Sequence, residues 1–581
     1  MRDARPIGVQ CSSKSHTIHL VGIAPTDWSA VRQRRTRNGV TINAIAGTHV
    51  VTLGLDLSET ARSKCVGFAI QREDRTEGEV TWMRGTKTFE STDPGLGPGG
   101  QVSSREHPFQ SFQWSDYSAH PGYDYTYRVT ALQGTPTQLT EGPSASVQIS
   151  TEPEYAKPHS VFFNRGSLAT QEYARRFQDR PPSKLNPVEA DAARRWLSRG
   201  LVEAIEAFIG MAHGSDWGLL GAIYELRWPS VLAALKAAHT SGADVRIVFD
   251  AIKDETGGPN QSAIDDAGIG AFCTPKTHGT IMHNKFFVLT RKGKPVAVWT
   301  GSTNLSENGI FGQSNVGHLV EDQRVASAYE QYFHQLATNP LAADQKQWVD
   351  ENNQRPPGSW NRDLTEVFSP HSGTDVLDWY AEIAGSAKEA LFMTFPFGMD
   401  RRFKTVYERP DDVLRFALME KEGNGRGLAQ GKIDVKRIRK RPNVIIALGN
   451  RIPTNQFDRW LKEADGIGRN VDWVHTKYML VDPLGPKPVV VVGSANFSEA
   501  STDENDENML VIRNDHRVAD IYLGEFMRLH SHYAFREALK IAVDRGDTDW
   551  RPQYLIPNAS WQTDYFRPLS QRFRRRVYFA G

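Results

Sequence analysis

The chain is poor in cysteine. Its 581 residues hold three, Cys11, Cys65 and Cys273, too few and too scattered for a disulfide framework or a zinc site. No apolar run approaches the roughly 18–20 residues that a membrane-spanning helix needs. Residues 1–22 lack the apolar core of a secretory signal. The expected compartment is therefore the cytoplasm, or export by a route without a cleavable signal. An excess charge is missing too. Against 68 Asp and Glu stand 69 Lys and Arg, a net of +1, so bulk charge argues for no partner. A nucleic-acid substrate is not excluded, because one positive face suffices. What is present is ordinary globular material. With 39% hydrophobic and 24% charged residues, a disordered chain is excluded and each of several domains can bury a core.

The expected architecture is multidomain. Short runs rich in Val, Ile, Thr, Tyr and Phe lie at 17–22, 49–55, 65–73, 78–83, 122–132 and 145–151, separated by turn residues. This spacing reads as an N-terminal all-β sandwich over 1–151, with a Gly/Pro-rich loop at 93–100. A linker is expected at 152–189. From about 190 the texture becomes helix alternating with strand: apolar residues at helical spacing in 230–240, a break at Gly242, then the strand-like 245–249. The same units recur at 375–384 and 390–395. Alternation of this kind predicts two α/β halves, each a mixed sheet flanked by helices, over 190–350 and 371–545. A linker at 351–370 separates them, and a basic and aromatic tail follows at 546–581.

The two halves repeat a pattern that carries chemistry. In the first, Met282-His283-Asn284-Lys285 heads an apolar run and is followed by Gly301-Ser302-Thr303-Asn304. In the second, Val474-His475-Thr476-Lys477 is followed by Gly493-Ser494-Ala495-Asn496. His to Asn is 21 residues both times (283 to 304, 475 to 496), and the copies are offset by 192 (283 to 475). Duplication accounts for both. On a strand, His and Lys two apart point the same way. The next strands, 296–300 and 489–492, end in the Gly-Ser-x-Asn stretches. Two such sets would form one pocket of His283, Lys285, Ser302, Asn304, His475, Lys477, Ser494 and Asn496. Such a pocket suits phosphodiester cleavage with no metal or cofactor. One His attacks phosphorus and the other works as proton donor and then as base. The Lys and Asn side chains stabilise phosphoryl charge, and the serines contact substrate.

These motifs resemble those of the phospholipase D superfamily, whose signature, His-x-Lys-x(4)-Asp followed by Gly-Ser-x-Asn, occurs twice. The resemblance spans roughly 190–545. It implies two halves packed so that both motifs meet at one pseudo-twofold cleft, and a monomer that is sufficient for one site. The copies differ. Asp482 fills the last signature position of the second copy, a supporting residue, where the first has Thr290. The family often places a carboxylate about eleven residues after the Asn, bonded to the catalytic His; the second copy has Glu507 there and the first has Asn315. A carboxylate against an imidazole raises its basicity. On this reading Glu507 supports His475 as proton donor, and His283 is the nucleophile, as the family's N-terminal His often is. Glu225 and Asp250 are candidate supports near strand ends. His278 reads as a loop histidine and Cys273 as a small core residue.

The segment Pro121–Val129 resembles the penultimate-strand region of fibronectin type III domains, with Tyr125 bonding back to the preceding corner. What that domain binds is unknown. Three basic clusters stand out: Arg32, Arg34, Arg35 and Arg37; Lys432, Lys436, Arg437, Arg439, Lys440 and Arg441; and Arg567, Arg572, Arg574, Arg575 and Arg576 among tail aromatics. Each reads as a solvated face, or for the tail as a C-terminal strand with buried aromatics, or else as a phosphate-tracking surface. Together they favour a nuclease resembling the small bacterial endonuclease branch, acting on DNA or RNA. The alternatives are a phospholipase on membrane phospholipids, as in an injected effector toxin, and an inactive binding protein on the same fold.

Overall fold

The computed structural model describes residues 31–96, 100–166, 173, 176–178, 180–353, 362–423, 427–449, 474–545 and 553–581. Ten strands come first: β1 (Arg32–Arg37), β2 (Val40–Ala46), β3 (Val51–Leu57), β4 (Gly67–Asp74), β5 (Glu79–Trp82), β6 (Arg84–Gly85), β7 (Val102–Ser103), β8 (Gln113–Asp116), β9 (Asp124–Thr135) and β10 (Gln138–Ser150). They form two four-stranded antiparallel sheets, β1-β2-β3-β8 and β10-β9-β4-β5, and the two-stranded ribbon β6-β7. Alternate side chains turn inward, so Val40, Ile42, Leu53 and Leu55 of one sheet share a core with Phe68, Ile70, Tyr125 and Tyr127 of the other. The Tyr125 hydroxyl accepts a hydrogen bond from the backbone N–H of His120 at 2.8 Å, the expected corner bond. The run at 17–22 lies outside the described residues.

The tail aromatics are buried, on helical turns rather than on a strand, and close this β core. The indole of Trp561 stacks on Phe112 with ring centroids 5.2 Å apart, and its Nε1 donates to the Cys65 carbonyl at 3.0 Å. Arg576 pairs with Asp56 at 2.6 Å. Gly54 allows the approach, since a Cβ there would lie 1.8 Å from the Phe579 carbonyl oxygen. The physical reason is burial: helix Gln571–Ala580 turns Phe579 and Ala580 inward together with Arg576, whose charge is met by Asp56.

Two seven-stranded sheets follow. The first contains β11 (His159–Phe163), β12 (Trp217–Ile223), β13 (Asp244–Asp250), β14 (Cys273–Lys276), β15 (Lys285–Arg291), β16 (Lys294–Gly301) and β17 (Val316–Val320). The second contains β18 (Leu364–Ser369), β19 (Ala390–Phe395), β20 (Leu414–Met419), β21 (Val444–Leu448), β22 (Tyr478–Val481), β23 (Val489–Gly493) and β24 (Glu507–Arg513). Their orders, β11-β17-β16-β15-β12-β13-β14 and β18-β24-β23-β22-β19-β20-β21, are the same order written twice. In each, three parallel strands join an antiparallel remainder. β11 and β18 fall in the segments expected as linkers. Both are short strands beginning beyond proline-containing stretches, and each pairs at an edge with β17 or β24.

The inner faces of the two sheets share one core, in which Phe286 and Val288 join Tyr478, Leu480 and Val492. The long helix His516–Asp544 seals it with Val518, Tyr522, Phe526 and Tyr533. Its polar side meets the β domain through Arg32–Asp520 at 2.6 Å and Arg517–Glu152 at 2.8 Å. No described helix is long and apolar enough to cross a membrane.

Candidate active site

Rather than lying on their strands, the motif histidines precede them, His283 by two residues before β15 and His475 by three before β22, on short segments that cross to the other half. Met282 pairs with Asp506, and Val474 with Ser314, as isolated parallel bridges. The His283 N–H donates to the Asp506 carbonyl at 3.0 Å, and the His475 N–H to that of Ser314 at 3.3 Å. Subtracting 192 from 474 and 506 gives 282 and 314, so a pseudo-twofold axis relates the bridges. Each His is thereby delivered to the residue that follows the bridge in the opposite half.

That exchange corrects the expected pairing. Glu507 does not serve His475. Its Oε2 lies 2.9 Å from Nδ1 of His283, while Nδ1 of His475 lies 2.9 Å from Oδ1 of Asn315. The Asn315 amide is oriented by its surroundings. Its Nδ2 donates to the Gly309 carbonyl at 2.7 Å, and its Oδ1 accepts from Ser302 Oγ at 2.8 Å. Oδ1 therefore faces His475 and requires a proton on Nδ1. Both rings are held at Nδ1, and each also meets a serine backbone, His283 that of Ser494 and His475 that of Ser302. The ring centroids are 6.5 Å apart at 76°.

The lysines are buried beside them. Lys285 Nζ donates to the His283 carbonyl and stands 4.9 Å from the Tyr224 ring centre. Lys477 is fully buried, and its Nζ has no hydrogen-bond partner among the described residues. Asn304 Oδ1 and Asn496 Oδ1 are likewise buried and unpartnered. Unsatisfied groups of this kind are destabilising unless something fills the space between them. A phosphodiester, an anion rich in acceptors, is the complement of the two lysine Nζ groups, and its charge favours the ammonium forms that burial opposes.

Other candidates serve as structure. Ser302 Oγ bonds Asn315 and accepts from the Val316 N–H at 3.1 Å, while Ser494 Oγ accepts from the Asn508 N–H at 3.0 Å. Both serines are fully buried and use their hydroxyls on the turns that carry Asn315 and Glu507. Asp250 Oδ1 accepts from the Met282 N–H at 2.9 Å and so fixes the approach to His283, and the Glu225 carbonyl accepts from the Leu305 N–H at 3.0 Å beside Asn304. His278 is in a loop, with Nδ1 3.0 Å from the Asn339 carbonyl oxygen. Cys273 is a half-buried residue of β14. Asp482 stands at the far end of β22, where its carboxylate accepts the backbone N–H groups of Lys388, Glu389 and Ala390, each at 2.8 Å. The Thr290 substitution in the first copy therefore removes a strand-end clamp and leaves the histidines untouched. Asp482→Ala is expected to lower stability by about 1–3 kcal/mol, read as a fall in Tm, with the kcat of the purified protein changed less than a few-fold.

Sequence reasoning missed two contributors. Tyr224 packs edge-on against His283, ring centroids 4.9 Å apart. Asn508 joins the halves, with Nδ2 donating to Asn284 Oδ1 at 2.7 Å and Oδ1 accepting from Tyr329 at 3.0 Å. A buried Asn directly after Glu507 was the available signal.

Burial sets the electrostatics. It pushes the Glu507 carboxyl up to about 8, opposed by Lys285 and Lys477. Burial, reinforced by the same two lysines, holds His283 well below the ordinary imidazole range. His475 is lowered by burial, then by Lys477, Lys285 and His283. Lys285 falls to about 7 through burial, opposed by Glu507. An Nε2 lone pair on His283 requires ionised Glu507 accepting the Nδ1 proton, a state gained as pH rises toward 8. A charged Lys285 is lost as pH rises through 7. The kcat/KM profile should therefore be a narrow bell with its maximum between about 7 and 8. A flat profile from about pH 5 to 10 would contradict this assignment.

A family model described as cardiolipin synthase, PLD-like domain, matches residues 209–337 and 444–530, which include both motif pairs, Asn315 and Glu507. No curated protein matches the chain. Among solved structures, phosphatidylserine synthase of Haemophilus influenzae is similar at 11% identity over 60% of this chain and 92% of that one, TM-score 0.39. Nuc of Salmonella typhimurium, a phospholipase D family member, is similar at 18% identity over 29% of this chain and 94% of that one, TM-score 0.22. Yeast tyrosyl-DNA phosphodiesterase is similar at 10% identity over 52% and 84%, TM-score 0.29.

Proposed function

Since the chain carries the PLD-like domain of the phospholipase D superfamily at residues 209–337 and 444–530, we propose that it is a phosphodiesterase that acts through a covalent phosphohistidine on His283 and needs no metal. The observation that carries this reading is the crossed pairing, in which the opposite half fixes each His at Nδ1. His283, backed by a carboxylate that stabilises positive charge developing on the ring, is the nucleophile. Its Nε2 bonds phosphorus as the ester oxygen leaves, and that oxygen takes the Nε2 proton of His475, whose doubly protonated ring the entering phosphodiester anion stabilises against burial and the two lysines. Water then gives a proton to His475 and its oxygen to phosphorus, breaking the N–P bond and restoring His283. Lys285 and Lys477 offset the phosphoryl charge in a buried site, where such contacts are strongest.

The proposed substrate is a nucleic acid, cut as by an endonuclease. Lys432, Lys436 and Lys440 recur every four residues along and just beyond the helix Leu428–Ile438 and are exposed, a stripe suited to a phosphate backbone. A second reading, hydrolysis of a phospholipid headgroup, is favoured by the depth of the site: His283 is 8% exposed and His475 4%, which suits one phosphodiester presented singly. The test is cleavage of labelled single- and double-stranded DNA and RNA in excess EDTA, beside phosphatidylcholine vesicles. Strand cleavage that survives EDTA and declines steeply with salt supports the first reading. Choline release with intact strands overturns it in favour of the second.

A further inference from the structure

The tail arginines are not equivalent. Arg574 pairs with Asp412 at 2.8 Å and Arg567 with Asp564 at 3.1 Å. Arg572 and Arg575, on the same helix, face a cavity of 280 Å³ lined by Ser111, Gln113, Tyr565, Gln571 and Arg576. No Asp or Glu is among the lining residues, and neither Arg572 nor Arg575 has a carboxylate partner among the described residues. Both are nonetheless held in place. Arg575 Nε donates to Gln113 Oε1 at 2.5 Å, and its guanidinium lies 5.8 Å from the Phe416 ring centre. Arg572 lies 5.3 Å from the ring centre of Tyr565. Arg576, the third guanidinium at the wall, is tied to Asp56 and to the Tyr565 carbonyl. Lys87 is near enough to Arg572 for the two positive charges to oppose one another.

Two positioned guanidiniums without counter-ions, at the wall of a polar, part-open cavity, form an anion receptor: the planar fork matches phosphate oxygens two at a time. The volume lies just below that of ordinary small-ligand pockets, so the guest is small. We propose that this cavity, at the seam of the β domain, the C-terminal helix and the second α/β half, binds a phosphomonoester dianion, whose two charges match Arg572 and Arg575. The shared chemistry is a terminal phosphate, carried either by a small soluble molecule or by a lipid headgroup such as phosphatidic acid.

The test uses the full chain and calorimetric titration with inorganic phosphate at constant ionic strength, because the buried lysines of the histidine site also attract phosphate. Lys477→Met removes that competing site, and Arg572→Gln, an exposed change, removes the proposed one. Phosphate should bind Lys477→Met as it binds one site of the wild type. Adding Arg572→Gln should weaken that binding at least about tenfold, and Arg575→Lys, which keeps charge but loses the fork, should weaken it too. Loss of all binding in Lys477→Met overturns the proposal, as does binding unaffected by Arg572→Gln. A second arm uses phosphatidylcholine vesicles containing phosphatidic acid. Retention on them that phosphate competes away assigns the lipid source, and no retention with phosphate binding intact assigns the soluble one.

Discussion

His475→Ala is expected to lower turnover of an ordinary phosphodiester by about 10³-fold or more, without unfolding the chain. The proposed first step needs a proton on the departing oxygen, and Nε2 of His475 is the donor placed opposite His283, ring centroids 6.5 Å apart. The variant should separate the two steps. With an aryl ester, whose leaving group departs unprotonated, His283 can still attack phosphorus, while the water of the second step has lost its base. The expected result is a burst of one equivalent of phenol per chain, followed by arrest. Mass spectrometry should then find the phosphoryl group on the peptide containing His283. A phosphoryl group found on His475 in the wild type would show that the roles are assigned the wrong way round, and full turnover by His475→Ala would show that this ring takes no part in the reaction.

Glu507→Gln is expected to lower kcat/KM by about 10²–10³-fold and to abolish the acid limb of the pH profile. The side chain is fully buried and 2.9 Å from Nδ1 of His283. An amide of the same shape either presents its NH2 to Nδ1, forcing the proton onto Nε2 and removing the lone pair, or accepts the Nδ1 proton with no charge to balance the phosphoimidazolium. The same loss of a carboxylate behind a catalytic imidazole removes about 10⁴ in a serine-protease triad. The reciprocal exchange is sharper. With Asn315→Glu and Glu507→Asn together, the carboxylate backs His475, and the covalent phosphate should move to the His475 peptide. A phosphate that stays on His283 in a folded, active double variant would separate nucleophilicity from the carboxylate.

Much of this site is legible in the sequence, and the limit has a physical origin. The 21-residue spacing from His to Asn reports strand, turn and strand, a local matter, and in the fold His283, Lys285, His475 and Lys477 lie together. What spacing cannot report is which half each side chain faces once the sheets pack. Glu507 follows Asn496 in its own half, so adjacency along the chain suggests His475; the bridge from Met282 to Asp506 hands it to His283. The fold shows the same division. Apolar strands such as Ala390–Phe395 are read to the residue, because burial on both faces leaves no other composition open. β1, with four arginines in six residues, reads as a charge cluster, since an edge strand facing water needs little apolar content. The tail aromatics are ambiguous for a related reason: composition reports a need for cover and leaves open whether a ligand or the β domain supplies it.

The crossed pairing also bears on how this chain came to be a single chain. A site assembled from two identical subunits must give both histidines the same partner. A dimer of the first half alone would offer Asn to each ring, and a dimer of the second would offer Glu to each. Neither can place a carboxylate behind one imidazole and an amide behind the other. Positions 315 and 507 can differ only where the two copies are distinct sequences, which joining them in one chain secures. The covalent link therefore does more than raise the effective concentration of one half for the other: it breaks a symmetry that had obliged the nucleophile and the proton donor to be chemically the same residue in the same surroundings.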